Sequence, residues 1–121
     1  MNKKQLGAEG EQFVCSELQH QKFMIIEQNW RCRFGEIDIV AKKEHTLYFI
    51  EVRTRTKHEG KEAQFGQAIE ALNYYKIRKL HQLAQLYCYY KHYHATYLLL
   101  FAPVTYYPSQ QKFELEKLIN I

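Results

Sequence analysis

Two stretches decide the fold: Gly35-Glu36-Ile37-Asp38-Ile39-Val40-Ala41, and Thr46-Leu47-Tyr48-Phe49-Ile50-Glu51-Val52-Arg53-Thr54 after a short polar break. From Glu36 to Ala41 the residues alternate, Ile37 and Ile39 opposite Glu36, Asp38 and Val40. The second stretch is rich in β-branched and aromatic residues, and both read as strands. The break Lys42-Lys43-Glu44-His45 is short enough for a hairpin. With the turn centred near Glu44, Asp38 falls opposite Ile50 or Glu51, and one residue of register decides which face it shares. Opposite Glu51, the two acids project together at roughly 5 Å between Cβ atoms. Like charges so placed destabilise a sheet unless a cation lies between them. Along the second strand Leu47, Phe49, Glu51 and Arg53 share a face, which runs from apolar core to a charged end.

Working outward, Lys4 to Gln21 reads as a helix, with Gly7, Glu11, Val14 and Leu18 on one stripe. Phe23 to Arg33, with its lone Trp30, reads as a strand. Residues 55–64 are charged, contain glycine and lack periodicity, so they read as a loop. A long helix is expected from Gln67 to Lys91, its stripe formed by Ile69, Leu72, Lys76, Leu80, Leu83, Tyr87 and Tyr90. A strand from Thr96 to Ala102, a turn bracketed by Pro103 and Pro108, and an edge strand from Lys112 to Ile121 complete the chain. The order α-β-β-β-α-β-β predicts an α/β fold, a mixed sheet with flanking helices.

The 121 residues suit one domain spanning 1–121, and 46% apolar content with two prolines and five glycines describes a globular chain. The longest apolar run, Tyr97 to Ala102, is far short of the roughly 18–20 residues of a membrane span. No apolar segment follows the charged Met1–Gln5, so no secretory signal is expected. Cys15, Cys32 and Cys88 are odd in number, lie far apart and show no zinc spacing, which suits a cytoplasmic location. The charge is uneven: residues 53–91 carry a net +5 while the rest sums to −1. Such a basic segment suits a polyanion such as DNA, although solvated faces also carry charge runs.

Three acids carry the chemistry. Glu11 sits on the stripe of the first helix, where a carboxylate must be paired, protonated, bound to metal or at the solvent edge. Asp38 and Glu51 face each other in one of the two registers. Hard carboxylate oxygens suit Mg²⁺, which keeps several waters and binds phosphate. Metal-assisted phosphodiester hydrolysis would use this set, and Arg53 would stabilise charge on the attacked phosphate. Surface ion pairs on strands explain the same residues, and the pattern alone leaves both readings open.

Taken together, Gly7-Ala8-Glu9-Gly10-Glu11, Asn29-Trp30-Arg31, Gly35-Glu36-Ile37-Asp38-Ile39-Val40-Ala41, Phe49-Ile50-Glu51-Val52-Arg53 and Phe65-Gly66 resemble the YraN family, over about Gly7 to Ala84. These small bacterial proteins are similar to Holliday junction resolvases and the PD-(D/E)xK nucleases. The resemblance implies a restriction-endonuclease-like core and a Mg²⁺- or Mn²⁺-dependent endonuclease cutting DNA, branched or flapped structures included. It implies that Glu11, Asp38 and Glu51, with the main-chain carbonyl of Val52, hold the metal, and that Arg53 completes the catalytic set. It also implies that the loop bearing Arg55, Lys57 and Lys61 and the helix bearing Lys76, Arg78 and Lys79 face the DNA backbone. The family pattern has lysine two residues after the glutamate. Here Arg53 keeps the charge but does not release its proton near neutral pH. The alternative is therefore a nuclease-fold DNA-binding module, weak or inactive as an enzyme, that acts through a protein partner.

Lys76 lies on an apolar stripe, either snorkelling at its edge or reaching the active centre. Tyr74, Tyr75, Tyr87, Tyr89, Tyr90, Tyr93 and Tyr97 read as core or as the interface of a homodimer, since junction-resolving relatives pair. Stacking on unpaired bases is the other use of such rings. His92 and His94 read as a polar turn, and Trp30 as a core residue, with Arg31 and Arg33 beside it placed to touch phosphate.

Overall fold

The computed structural model describes residues 1–58 and 72–121. Helix α1 spans Lys3–His20 and is opened by a capping box, in which Asn2 accepts from the Gln5 amide and Gln5 reaches back to the Asn2 amide. It ends where Lys22 turns left-handed at φ 73° and the Phe23 amide bonds the Leu18 carbonyl, satisfying the last turn. Strands β1 (Met24–Cys32), β2 (Gly35–Lys43) and β3 (Thr46–Thr56) follow, then helix α2 (Tyr74–Lys91). Strands β4 (Thr96–Tyr107), β5 (Lys112–Leu115) and β6 (Ile119–Asn120) close the chain.

The six strands form one mixed sheet in the order β1-β2-β3-β4-β5, with β6 also on β4. The β3–β4 pair is parallel and the other pairs are antiparallel. The predicted α-β-β-β-α-β-β order is present, with the last strand divided into β5 and β6. A parallel pair needs a long crossover, and α2 lies on it.

Each face of the sheet buries a helix. On one side Val14, Cys15 and Leu18 of α1 pack on Ile39, Ala41, Ile50, Val52 and Val104. On the other, Leu80, Leu83, Ala84 and Tyr87 of α2 pack on Ile37, Val40, Leu47, Phe49 and Leu99. Each such fully buried side chain contributes about 1.5–3 kcal/mol over its exposed state. Aromatic rings pack on both sides, but the fully buried ones of the two clusters, Phe49 and Tyr87, are on the α2 side. Tyr87 meets Trp30 edge-on at 5.2 Å and Phe49 at 5.5 Å, and lies parallel to Tyr93 at 6.1 Å.

Three expectations need correction. Arg55 and Thr56 belong to β3 rather than to a loop, because β4 supplies Thr105 and Tyr106 as parallel partners. The remaining loop residues 59–64, Phe65-Gly66, the expected helix start at Gln67 and Ile69 lie outside the described residues. Leu72 precedes the helix, since Asn73 caps it by accepting from the Lys76 amide at 3.0 Å. Pro103 is not in a turn but inside β4. Its carbonyl accepts from the Glu116 amide, so its missing N–H faces that same side, between the stretches paired with β6 and with β5.

Candidate active site

The turn between β2 and β3 is two residues long, with Glu44 at φ 57°. It fixes the register Lys43↔Thr46 through Ile39↔Ile50, and one further step sets Asp38 against Glu51. There the ladder stops. The Val52 amide donates instead to Oδ2 of Asp38 at 2.9 Å. Strand alternation also breaks at this point: Ile37 packs on the α2 side and Ile39 on the α1 side, although residues two apart normally share a face. Asp38 sits at that break, only 7% exposed.

Burial raises the Asp38 carboxyl above its usual range, helped by the Glu36 charge and opposed by the Val52 amide, Glu51 and Arg53. Burial and the Asp38 charge push Glu51 up to about 7, against the pull of Arg53 and Lys76. Glu11, half-buried on α1, is likewise pushed up to about 7 by burial and by Asp38, while the Asn29 side chain beside it pulls the other way. Three acids from α1, β2 and β3 therefore act on one another through charge. Glu51 opens into a cavity of about 230 Å³ lined with Glu36, Lys76, Lys79, Leu80, Leu83 and Ile121. Among the described residues no three His, Cys, Asp or Glu side chains stand close enough to cage a metal ion.

The basic residues fall into two groups. Lys76 and Lys79 face the Glu51 cavity, and Arg78 is exposed on the same helix. Lys76 is thus exposed, not part of a buried stripe. Arg53 and Arg55 line a second cavity, with Lys3, Gly7 and Thr56 at the start of α1. The Nε atoms of both arginines are buried there without a hydrogen-bond partner. Arg31 pairs with Glu36 at 2.9 Å on the surface, and the Arg33 guanidinium lies 5.2 Å from the Phe34 ring. Lys57 lies over the Tyr107 ring at 5.8 Å, and Lys61 lies outside the described residues.

The tyrosines divide. Tyr87 is buried and Tyr93 and Tyr97 pack against its cluster, while Tyr74, Tyr75, Tyr89 and Tyr90 are exposed. His92 caps α2 in the left-handed conformation, a turn as expected. Gly10's role is not readable from local pattern: a Cβ there would strike Thr54 Oγ1, so α1 crosses β3 where only glycine fits. No helix among the described residues is long and apolar enough to cross a membrane.

Among the described residues, a mixed sheet sandwiched by α1 and α2, with acids gathered where the central hairpin opens, is an α/β architecture that agrees with a nuclease-like core. The chain belongs to the UPF0102 family (YraN): residues 10–114 match the Uncharacterised protein family UPF0102. A UPF0102 protein of Caldanaerobacter subterraneus subsp. tengcongensis is 32% identical over 121 residues, 100% of this chain and 94% of that one. A UPF0102 protein of Dictyoglomus turgidum is 36% identical over 87 residues, 72% of this chain and 70% of its own length. One from Clostridium botulinum is 38% identical over 84 residues, 69% and 64% of the two chains.

Proposed function

We propose that the chain is a metal-dependent endonuclease that hydrolyses phosphodiester bonds in DNA, with branched or flapped structures among its substrates. The observation that carries this reading is the pairing of buried Asp38 with half-buried Glu51, whose carboxyls are both raised and whose Glu51 opens into a cavity shared with Lys76 and Lys79. Two crowded carboxylates are relieved by a divalent cation, and the donors fit one. Mg²⁺ is held by one or two carboxylates and keeps several waters, so a closed protein cage is not required. In a strand the N–H and C=O of a residue point to the same edge, so the Val52 carbonyl lies on the Asp38 side with its amide. Asp38, Glu51 and the Val52 carbonyl would hold the ion, with Glu11 adding charge or a water-mediated contact. The chemistry supplied by such an ion is a bound water of lowered pKa and compensation of phosphate charge.

The chain's own residues do the rest. Arg53 offsets charge on the attacked phosphate but keeps its proton. Lys76, facing Glu51, is the second cation beside the acids. Lys79, Arg78, Arg55, Lys57 and Lys61, with Arg31 and Arg33 across the β1–β2 turn, would hold the DNA backbone. A Mn²⁺ titration by calorimetry, run with nicking of a branched DNA, tests the reading on wild type and Asp38→Ala. Binding and cutting should both vanish in the variant while DNA binding persists. Absence of metal binding in the wild type would refute it.

Arg53 favours a second reading, a module that holds DNA and recruits a protein partner without cutting. DNA binding by a wild type that nicks nothing with either metal would select it.

A further inference from the structure

The turn from β1 to β2 places an aromatic ring beside the Glu51 cavity. Phe34 is 48% exposed, with the Arg33 guanidinium over its ring. It lines a cavity of about 370 Å³ whose other wall is α2: Lys79, Gln82, Leu83, Gln85 and Leu86. That volume is within the range of about 300–1,000 Å³ for small-molecule sites. Lys79 and Leu83 line this cavity and the Glu51 cavity alike, so the two adjoin. The spacing is fixed by Gly35, at φ 146°, where a Cβ would press within 3.3 Å of Leu83.

We infer that this slot is a subsite for one unpaired nucleobase of the DNA substrate, stacked on Phe34 and next to the site of cleavage. The inference rests on the DNA-cleavage reading and deepens it by saying how a flap or branch would be told from plain duplex. An aromatic face takes any base by stacking, but only one released from its own stack. The slot has the remaining parts of a nucleotide site. Leu83 and Leu86 give an apolar wall, and the Gln82 and Gln85 amides can each donate to and accept from a base edge. Arg33 lies over one face of the ring, 5.2 Å from its centroid, and Lys79 lines the same cavity, so two cations are at hand for the adjoining phosphates.

The test uses the full chain in EDTA, so that nothing is cut. Two DNAs of equal duplex length are compared, one blunt and one with a short flap carrying 2-aminopurine at the first unpaired position. Wild type should bind the flapped DNA more tightly and change the 2-aminopurine emission. Phe34→Ala should weaken flap binding about 5- to 100-fold, leave blunt-duplex binding within about twofold and abolish the emission change. Phe34→Trp should restore both, and equal melting temperatures of the three proteins would set folding aside. Equal loss on both DNAs, no loss on either, or an emission change that survives Phe34→Ala would overturn the subsite and leave the nuclease reading intact. Failure of wild type to bind either DNA would overturn both.

Discussion

Asp38 stands in for a strand. Its Oδ2 accepts the Val52 amide at 2.9 Å just past the last β2–β3 pair, so a side chain takes over where the backbone ladder ends. This one contact holds a charged group in the sheet interior and ties β2 to the stretch of β3 that carries Glu51 and Arg53.

Replacing Asp38 should therefore separate structure from charge. Asp38→Asn keeps an acceptor for Val52, whereas Asp38→Ala leaves a buried N–H without one, at a cost of about 1–3 kcal/mol. Urea unfolding in EDTA should place the asparagine variant above the alanine variant by that margin. Equal stability would mean that water or another group serves Val52 equally well.

Arg53→Lys should raise nicking by about tenfold or more, with DNA affinity within about twofold of wild type. Single-turnover rates with Mn²⁺ would check it. An unchanged rate in an active enzyme would give the proton-handling role to another group, with Lys76→Ala the next variant to measure.

The pH dependence of stability has a definite sign. Glu11 and Glu51 titrate near 7 in the folded chain, above their ordinary 4.5. Between those values the folded state binds more protons than the unfolded one, so these groups cost stability progressively as pH rises through the window. Below about 4.5 the cost is absent. In EDTA, Glu51→Gln should raise the melting temperature at pH 8 by about 3–6 °C, the equivalent of about 1 kcal/mol, and change it little at pH 4. A variant that melts lower at pH 8 would contradict the assignment of Glu51 as a destabilised acid.

Gly10→Ala should destabilise the chain by about 1–3 kcal/mol, through collision with Thr54 across the α1–β3 contact. Thr54→Ala removes the colliding oxygen, already without a hydrogen-bond partner, and should recover most of that loss in a double-mutant cycle. Additive losses would show that α1 simply shifts outward.

The hairpin was legible in the sequence because a two-residue turn and a period of two leave only two registers. Residues 46–50 pair one to one with 39–43, so Ile39 faces Ile50 and Phe49 faces Val40. Val14 and Leu18 of α1, and Leu80, Leu83 and Tyr87 of α2, lie where helical periodicity puts them. The acidic cluster was half legible: spacing left Asp38 opposite either Ile50 or Glu51, and Glu11 joined them only through resemblance. What was hidden depends on partners distant in sequence. Pro103 is tolerated in β4 because β5 and β6 leave a gap beside it, and no local pattern announces that gap. The break between Ile37 and Ile39 falls at Asp38, whose partner Val52 is 14 residues away along the chain. Phe34, the groove beside it and the close approach at Gly10 likewise appear only when helices and strands meet.

The position of the single tryptophan makes the two layers of the chain unequally visible to light. Trp30, the sole tryptophan, sits 5.2 Å from Tyr87 in the α2 layer, while the α1 layer is built mainly of aliphatic side chains. Indole emission is thus a one-sided gauge. It registers α2 lifting from the sheet and is blind to α1 doing so. Helical ellipticity counts the two helices alike, and any pH or denaturant at which the two signals part company marks the layer that lets go first.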